Sequence, residues 1–273
     1  MTNNRTSPVD STWTGMVPVG DTALAVTDTG GPGIPVLYVN GHVATQKNWR
    51  PVIAELGPGW RHITYDMRAR GKSRTSADYS FETNVADIDA VLAARGAQRV
   101  LAIGWSYGAF VAAHWASRNP DRTVGAVLVE GAQPHDWIDE VDIEGMRKLW
   151  RRLGWLMPLM WVTGRGARMT AEQMADSNIE AGEIARERVL GPVMDNISVP
   201  TRYVNASGSS LGSRGDQQER IRASLDKVVE RNPNIEIHAK VPSNHGSILR
   251  KDYRTIAEAV RVVAGLEGGQ RRI

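Results

Sequence analysis

The segment Val100–Phe110 restricts what this chain can fold into more than any other stretch. Val100-Leu101-Ala102-Ile103 is a short apolar run closed by Gly104, the pattern of a strand buried on both faces. Gly104-Trp105-Ser106-Tyr107-Gly108 then fits G-x-S-x-G, a tight turn from strand into helix. Ala109, Phe110, Val111, Ala112, Ala113, Trp115 and Ala116 carry on as a helix of mostly small residues, able to lie close against a sheet. Ser106 at the apex must adopt a strained backbone to aim its hydroxyl off the sheet, so the positions two before and two after it carry no side chain. The N-terminus of the following helix, with unpaired N–H groups and partial positive charge, faces the place where an oxyanion would form. The stretch therefore predicts a nucleophilic serine rather than an ordinary turn residue.

Apolar runs recur on both sides of this turn. Ala23–Val26, Ile34–Val39, His62–Tyr65, Thr123–Val129, Thr201–Ala206 and Ile235–Val241 read as further strands. Asn48–Leu56, Asn84–Arg95, Gln217–Glu230 and Tyr253–Ala264 read as helices between and after them, while residues 1–12 read as a loose tail. Strands alternating with helices predict a parallel sheet whose functional loops lie at the strand C-terminal ends. Ser106, Gly41 and Glu130 all fall at such ends. Between Pro134 and Ser198 no strand is evident, and the segment concentrates tryptophan and methionine.

At 273 residues the chain suits one α/β domain with an insertion. A net charge of +3 with scattered arginines argues against nucleic acid; the cluster Arg147, Lys148, Arg151, Arg152 reads as a solvated helix face. The absence of cysteine excludes disulfides, thiolate metal sites and a cysteine nucleophile. Met1–Ser11 is polar, without the apolar core of a signal peptide, and no run approaches the roughly 20 apolar residues of a membrane span. A soluble cytoplasmic protein without metal, cofactor or membrane partner is the expectation. Its partner is a small hydrophobic substrate, and its oligomeric state is open, with a homodimer compatible.

The elbow, Val36–Asn40 with Gly41-His42, Ile63–Asp66 followed by Arg68-Ala69-Arg70-Gly71-Lys72-Ser73, Asn119-Pro120-Asp121-Arg122 and Asn244-His245-Gly246 together resemble the α/β-hydrolase family over nearly the whole chain. The resemblance implies a mostly parallel central sheet flanked by helices, with a helical cap inserted after the sixth strand. Residues 1–133 and 199–273 would form the core and residues 134–198 the cap. It further implies Ser106 as nucleophile, His245 as its base, and the backbone N–H groups of His42 and Tyr107 as oxyanion donors. Asn40 stands where the family usually has histidine. His62, at a strand start, His114, two turns into a helix, and His135, entering the cap, are less well placed as the base.

The acid departs from the commonest pattern, because Asn205–Ser210 has serine where an aspartate is expected. Glu130 at the end of the preceding strand resembles the placement in zearalenone lactonases, which use a Ser-Glu-His set; Asp216 is the rival. A hydrophobic pocket between cap and sheet is expected, lined by Trp105, Trp137, Trp155, Met157 and Trp161. The implied activity is serine hydrolysis of a hydrophobic ester or lactone through an acyl-enzyme. The alternatives are a cofactor-independent dioxygenase of the 3-hydroxy-4-oxoquinoline type, which shares the fold, and a non-catalytic ligand-binding protein on a hydrolase body. Epoxide hydrolases and dehalogenases resemble the chain less, since they carry aspartate at the elbow.

Overall fold

Each apolar run becomes a strand because its alternate side chains find helices on opposite faces of one sheet. The structure, a computed structural model, describes residues 12–136, 140–162, 166–208 and 217–266. In chain order the core elements are β1 (Trp13–Val19), β2 (Thr22–Asp28), β3 (Pro35–Val39), α1 (Arg50–Leu56), β4 (Arg61–Tyr65), α2 (Phe81–Ala94), β5 (Val100–Trp105), α3 (Tyr107–Arg118) and β6 (Thr123–Val129). Four helices follow, α4 (Glu140–Leu153), α5 (Met157–Val162), α6 (Ala171–Ile184) and α7 (Glu187–Asp195). The chain then closes with β7 (Thr201–Ala206), α8 (Gln217–Arg231), β8 (Ile235–Val241), α9 (Ile248–Lys251) and α10 (Tyr253–Val263).

The eight strands form one sheet in the order β1-β2-β4-β3-β5-β6-β7-β8. The pairs from β4 through β8 are parallel; β1 and β2 attach antiparallel at one edge. This is the α/β-hydrolase architecture, a mostly parallel sheet flanked by helices. β1 was not legible as a strand: Trp13–Val19 alternates half-exposed and buried positions and holds Gly15 and Pro18, which an edge strand tolerates.

The pleat sorts the core into two layers. Leu37, Val39, Val100 and Ala102 meet α2, α3, α7 and α8 on one face. Val36, Tyr38, Leu101 and Ile103 meet α1, α9 and α10 on the other. Side chains such as Trp49 and Trp115 are fully buried in these layers, each contributing on the order of 2–3 kcal/mol of hydrophobic stabilisation. Between β6 and β7 the chain runs through α4–α7, with α4 packed on α6 and a single bridge from Ala167 back to Arg70. No helix among the described residues is long and apolar enough to cross a membrane.

Candidate active site

The site begins where β5 runs out. Gly104 and Gly108 are required by close approach: a Cβ on Gly104 would strike the Gly108 carbonyl, and one on Gly108 would strike the Val39 carbonyl at the end of β3. Ser106, between them, has φ +56° and ψ −123°, a conformation that costs a non-glycine residue about 1–3 kcal/mol. Its backbone N–H bonds Val129 O at 3.0 Å, pinning the turn to the end of β6. α3 starts at Tyr107, so that residue's N–H has no helical partner.

Glu130 is also strained, at φ +46°. Its N–H bonds Val204 O of β7 at 3.0 Å, and a Cβ on the next residue, Gly131, would strike Ser106 O. The sheet thus presses the backbone of Glu130 against the elbow. The Glu130 side chain is 4% exposed; its Oε2 accepts the Ala206 N–H at 2.7 Å and its Oε1 accepts a bond from Arg222 Nη2 at 2.6 Å.

His245 sits in the turn between β8 and α9, half-buried, with Nε2 2.9 Å from Ser106 Oγ. Its Nδ1 stands 4.0 Å from Glu130 Oε1, an ion-pair distance rather than a hydrogen bond. Serine, histidine and glutamate therefore converge from three strand ends. Burial lowers the His245 pKa, Glu130 opposes that and Arg222 reinforces it, leaving the imidazole below its ordinary value of 6.5. Asp216, the rival acid, lies outside the described residues.

Gly41-His42 runs beside the elbow, where a Cβ on Gly41 would stand 3.3 Å from Ser106 Cβ. The buried Arg70 donates from Nε to His42 O at 2.8 Å, fixing this loop from beneath. Burial brings that guanidinium down to about 10. Asn40 is structural: it accepts from Trp49 Nε1 at 2.9 Å and donates to Tyr65 O at 2.5 Å. The His42 ring is tied to α6. Asn178 Nδ2 donates to Nδ1 at 3.3 Å, so Nε2, 2.8 Å from Ser177 Oγ, carries the proton and donates. Burial, with Arg70 nearby, holds this ring well below the usual histidine range, so it is neutral.

A cavity of about 290 Å³ opens over Ser106 and His245. Its polar wall includes His42, Glu130, Gln133, His135, Asn178 and Arg222, and its apolar wall Phe110, Met146, Ala181, Ala185 and Ile221. Of the expected lining, the described tryptophans Trp105, Trp155 and Trp161 are not among the residues around this cavity. Trp105 lies in the layer with α1 and α10, its ring 5.6 Å from that of His245. Trp155 is 78% exposed on the outer surface, and Trp161 points its Nε1 at Gly71 O under the Arg168 guanidinium. Trp137 and the Met157 side chain lie outside the described residues. Hydrophobicity alone could not tell an inward from an outward tryptophan on the short helices of residues 154–162.

His135, Gln133, Asn178 and Arg222 were not anticipated in the lining. His135 was visible as the histidine just past β6. Its Nδ1 lies 2.6 Å from Gln133 O, and burial lowers it to about 4, so it is neutral. Of the other histidines, His62 bonds Tyr38 Oη at 2.8 Å and His114 stacks edge-on against Phe81, both away from the cavity. Among the described residues no group of three His, Cys, Asp or Glu side chains could hold a metal ion.

Sheet order and the strand–turn–helix at Ser106 are those of the α/β-hydrolase fold. Residues 34–158 match the model of the alpha/beta hydrolase fold family. A haloalkane dehalogenase of Mesorhizobium japonicum is 30% identical over 125 residues, 45% of this chain and 40% of that protein. The matches to the first curated relatives span about two fifths of those proteins' length. A thermophilic esterase from Thermogutta terrifontis superposes with a TM-score of 0.69 at 19% identity, covering 93% of this chain and 99% of that one. A bromoperoxidase from Bacillus anthracis gives 0.66 at 19% identity, covering 93% and 100%. At this identity the two structures share the fold.

Proposed function

We propose that this protein is a serine hydrolase that cleaves a compact, mainly apolar ester or lactone through an acyl-enzyme. The observation that carries the reading is the 2.9 Å contact of His245 Nε2 with the hydroxyl of Ser106 at a strained elbow. A serine hydroxyl is a poor nucleophile until a base takes its proton. In the reaction Ser106 Oγ attacks the carbonyl carbon while its proton passes to His245 Nε2. The backbone N–H groups of His42 and Tyr107 receive the developing oxyanion. As the C–O bond breaks, His245 returns the proton to the leaving alkoxide, which in a lactone stays tethered to the acyl group. Water then repeats the sequence and frees Ser106. Glu130 keeps the imidazole oriented and stabilises its protonated form.

The dehalogenase likeness does not transfer its chemistry. A serine displacing halide from an alkyl carbon would leave an ether, which water cannot cleave, whereas a carboxylate leaves a hydrolysable ester. Three histidines around the cavity favour a second reading, cofactor-independent dioxygenation with His245 as base on the organic substrate. Against it, His42 has both ring nitrogens engaged and cannot relay a proton without breaking those bonds. Aryl esters and lactones assayed with and without oxygen, beside a fluorophosphonate probe, separate the readings. Ser106 becomes labelled, Ser106→Ala and His245→Ala abolish labelling, and turnover is independent of oxygen. Turnover that requires oxygen, with no labelling, selects the dioxygenase.

A further inference from the structure

The Glu130 carboxylate is held for two partners and in this arrangement bonds only one of them. Oε2 is fixed by the Ala206 N–H at 2.7 Å, so Oε1 alone can serve His245. That oxygen accepts Arg222 Nη2 at 2.6 Å, and His245 Nδ1 is left 4.0 Å away. The same Nη2 donates to Gly208 O at 3.2 Å, which anchors the guanidinium just past β7. Arg222 reaches in from the first turns of α8, its side chain 13% exposed, and lines the cavity itself.

Arginine–carboxylate pairs are frequently bidentate, as Arg61 is on Asp28, the arrangement that gains most from the guanidinium fork. Here a single nitrogen makes the bond, and the buried Nε has no hydrogen-bond partner. A one-point hold can yield. We propose that Arg222 is a positioning residue that draws Glu130 off His245 and thereby sets the pH at which the imidazole takes up a proton. This rests on reading His245 as the base of Ser106.

Among the described residues, the charged side chains bearing on His245 are Glu130 from the end of β6 and Arg222 from α8. The other titratable groups around the cavity are Tyr107 on α3, His42 beside the elbow and His135 past β6; both histidines are neutral and add no field of their own. Trp105 covers a ring face without charge. With Arg222 in place, a proton on His245 meets a nearby cation and a carboxylate already neutralised. Without it, the buried Glu130 carboxylate faces His245 at 4.0 Å as its remaining ion-pair partner among the described residues. Loss of Arg222 must therefore raise the proton affinity of His245.

The test is an NMR titration of the His245 ring in wild type, R222K and R222Q, with assignment by H245N. The lysine keeps the charge but lacks the rigid planar guanidinium that places one nitrogen between Glu130 Oε1 and Gly208 O. The expected order of midpoints is wild type lowest, R222K higher and R222Q highest, with the acid limb of fluorophosphonate labelling moving the same way. A midpoint in either variant equal to or below wild type overturns the proposal, and R222K alone suffices if R222Q does not fold. Wild type that titrates normally yet never reacts with the probe instead removes His245 from the catalytic role, while the titration still reports on Arg222.

Discussion

Strain marks the chemistry at the scale of single residues. Ser106 and Glu130 both sit at positive φ, and a folded chain keeps such outliers only where its surroundings over-determine them. The carboxylate's contribution can be read by removing its charge without its shape. Glu130→Gln should retain the fold and lower kcat toward the about 10⁴-fold loss that follows when a triad acid becomes an amide. Steady-state kinetics beside a thermal melt checks this; near-wild-type turnover would return the role to Asp216. The base gives a second expectation. In the proposed reaction His245 accepts the serine proton only when neutral, and burial depresses its pKa. The probe-labelling rate should therefore rise with pH through a midpoint below 6.5 and then level off. A midpoint above 6.5 would mean that the Glu130 carboxylate outweighs burial and Arg222 together.

At the scale of elements, the sheet was legible and the surfaces above it were not. Thr123–Val129 is an apolar run and Ile235–Val241 alternates apolar with polar residues, each with one assignment, and the structure reproduces their limits. The elbow was equally plain, because two glycines around a serine after a buried strand answer to one geometry. Arg222 was hidden because the phase of α8 against β6 depends on tertiary packing that no local pattern encodes. The tryptophans misled for a related reason: Trp155 reads as core by hydropathy yet lies outside, while Met146 of α4 supplies the cavity wall. Met146→Ala should accordingly alter KM or preference among acyl chain lengths, and Trp155→Ala should leave both unchanged. A substrate panel with matched melts distinguishes these outcomes. α6 adds a coupling between the helices over the site and the oxyanion loop, since Ser177 and Asn178 hold the His42 ring. Ser177→Ala releases Nε2 of that ring, leaving only the Asn178 bond, and should lower kcat more than it raises KM, because the loss falls on the transition state. An equal effect on a bound product analogue would mean that the pair only packs.

At the scale of the whole molecule, the sheet edge is locked by one buried carboxylate. Asp28, at the end of β2 and 1% exposed, accepts from Arg61 of β4 at 2.7 Å and from Arg95 beyond α2 at 2.9 Å, and also takes the Gly30 N–H. Burial pushes its pKa up, but the bonds from Arg61, Gly30 and Arg95 outweigh that and leave it below the ordinary carboxylate value. A depressed folded pKa means that the folded state binds the proton less readily than the unfolded chain. The stabilisation is therefore fully present above the unfolded value of about 3.9 and drains away as pH falls through the folded one. Removing one member of a buried pair costs about 3–5 kcal/mol. Because the two guanidinium groups are 18% and 20% exposed, solvent screening cuts the expected cost of Asp28→Asn to about 2 kcal/mol. At about 2–4 °C per kcal/mol for a chain of this size, Tm at pH 7 should drop by about 4–8 °C. The variant should also lose less stability than wild type when urea melts at pH 7 and pH 3.5 are compared. Parallel losses in the two proteins would assign the acid sensitivity to other carboxylates held below their ordinary value, with Asp78, bonded by the Thr83 hydroxyl and the Ser80 N–H, the next to replace.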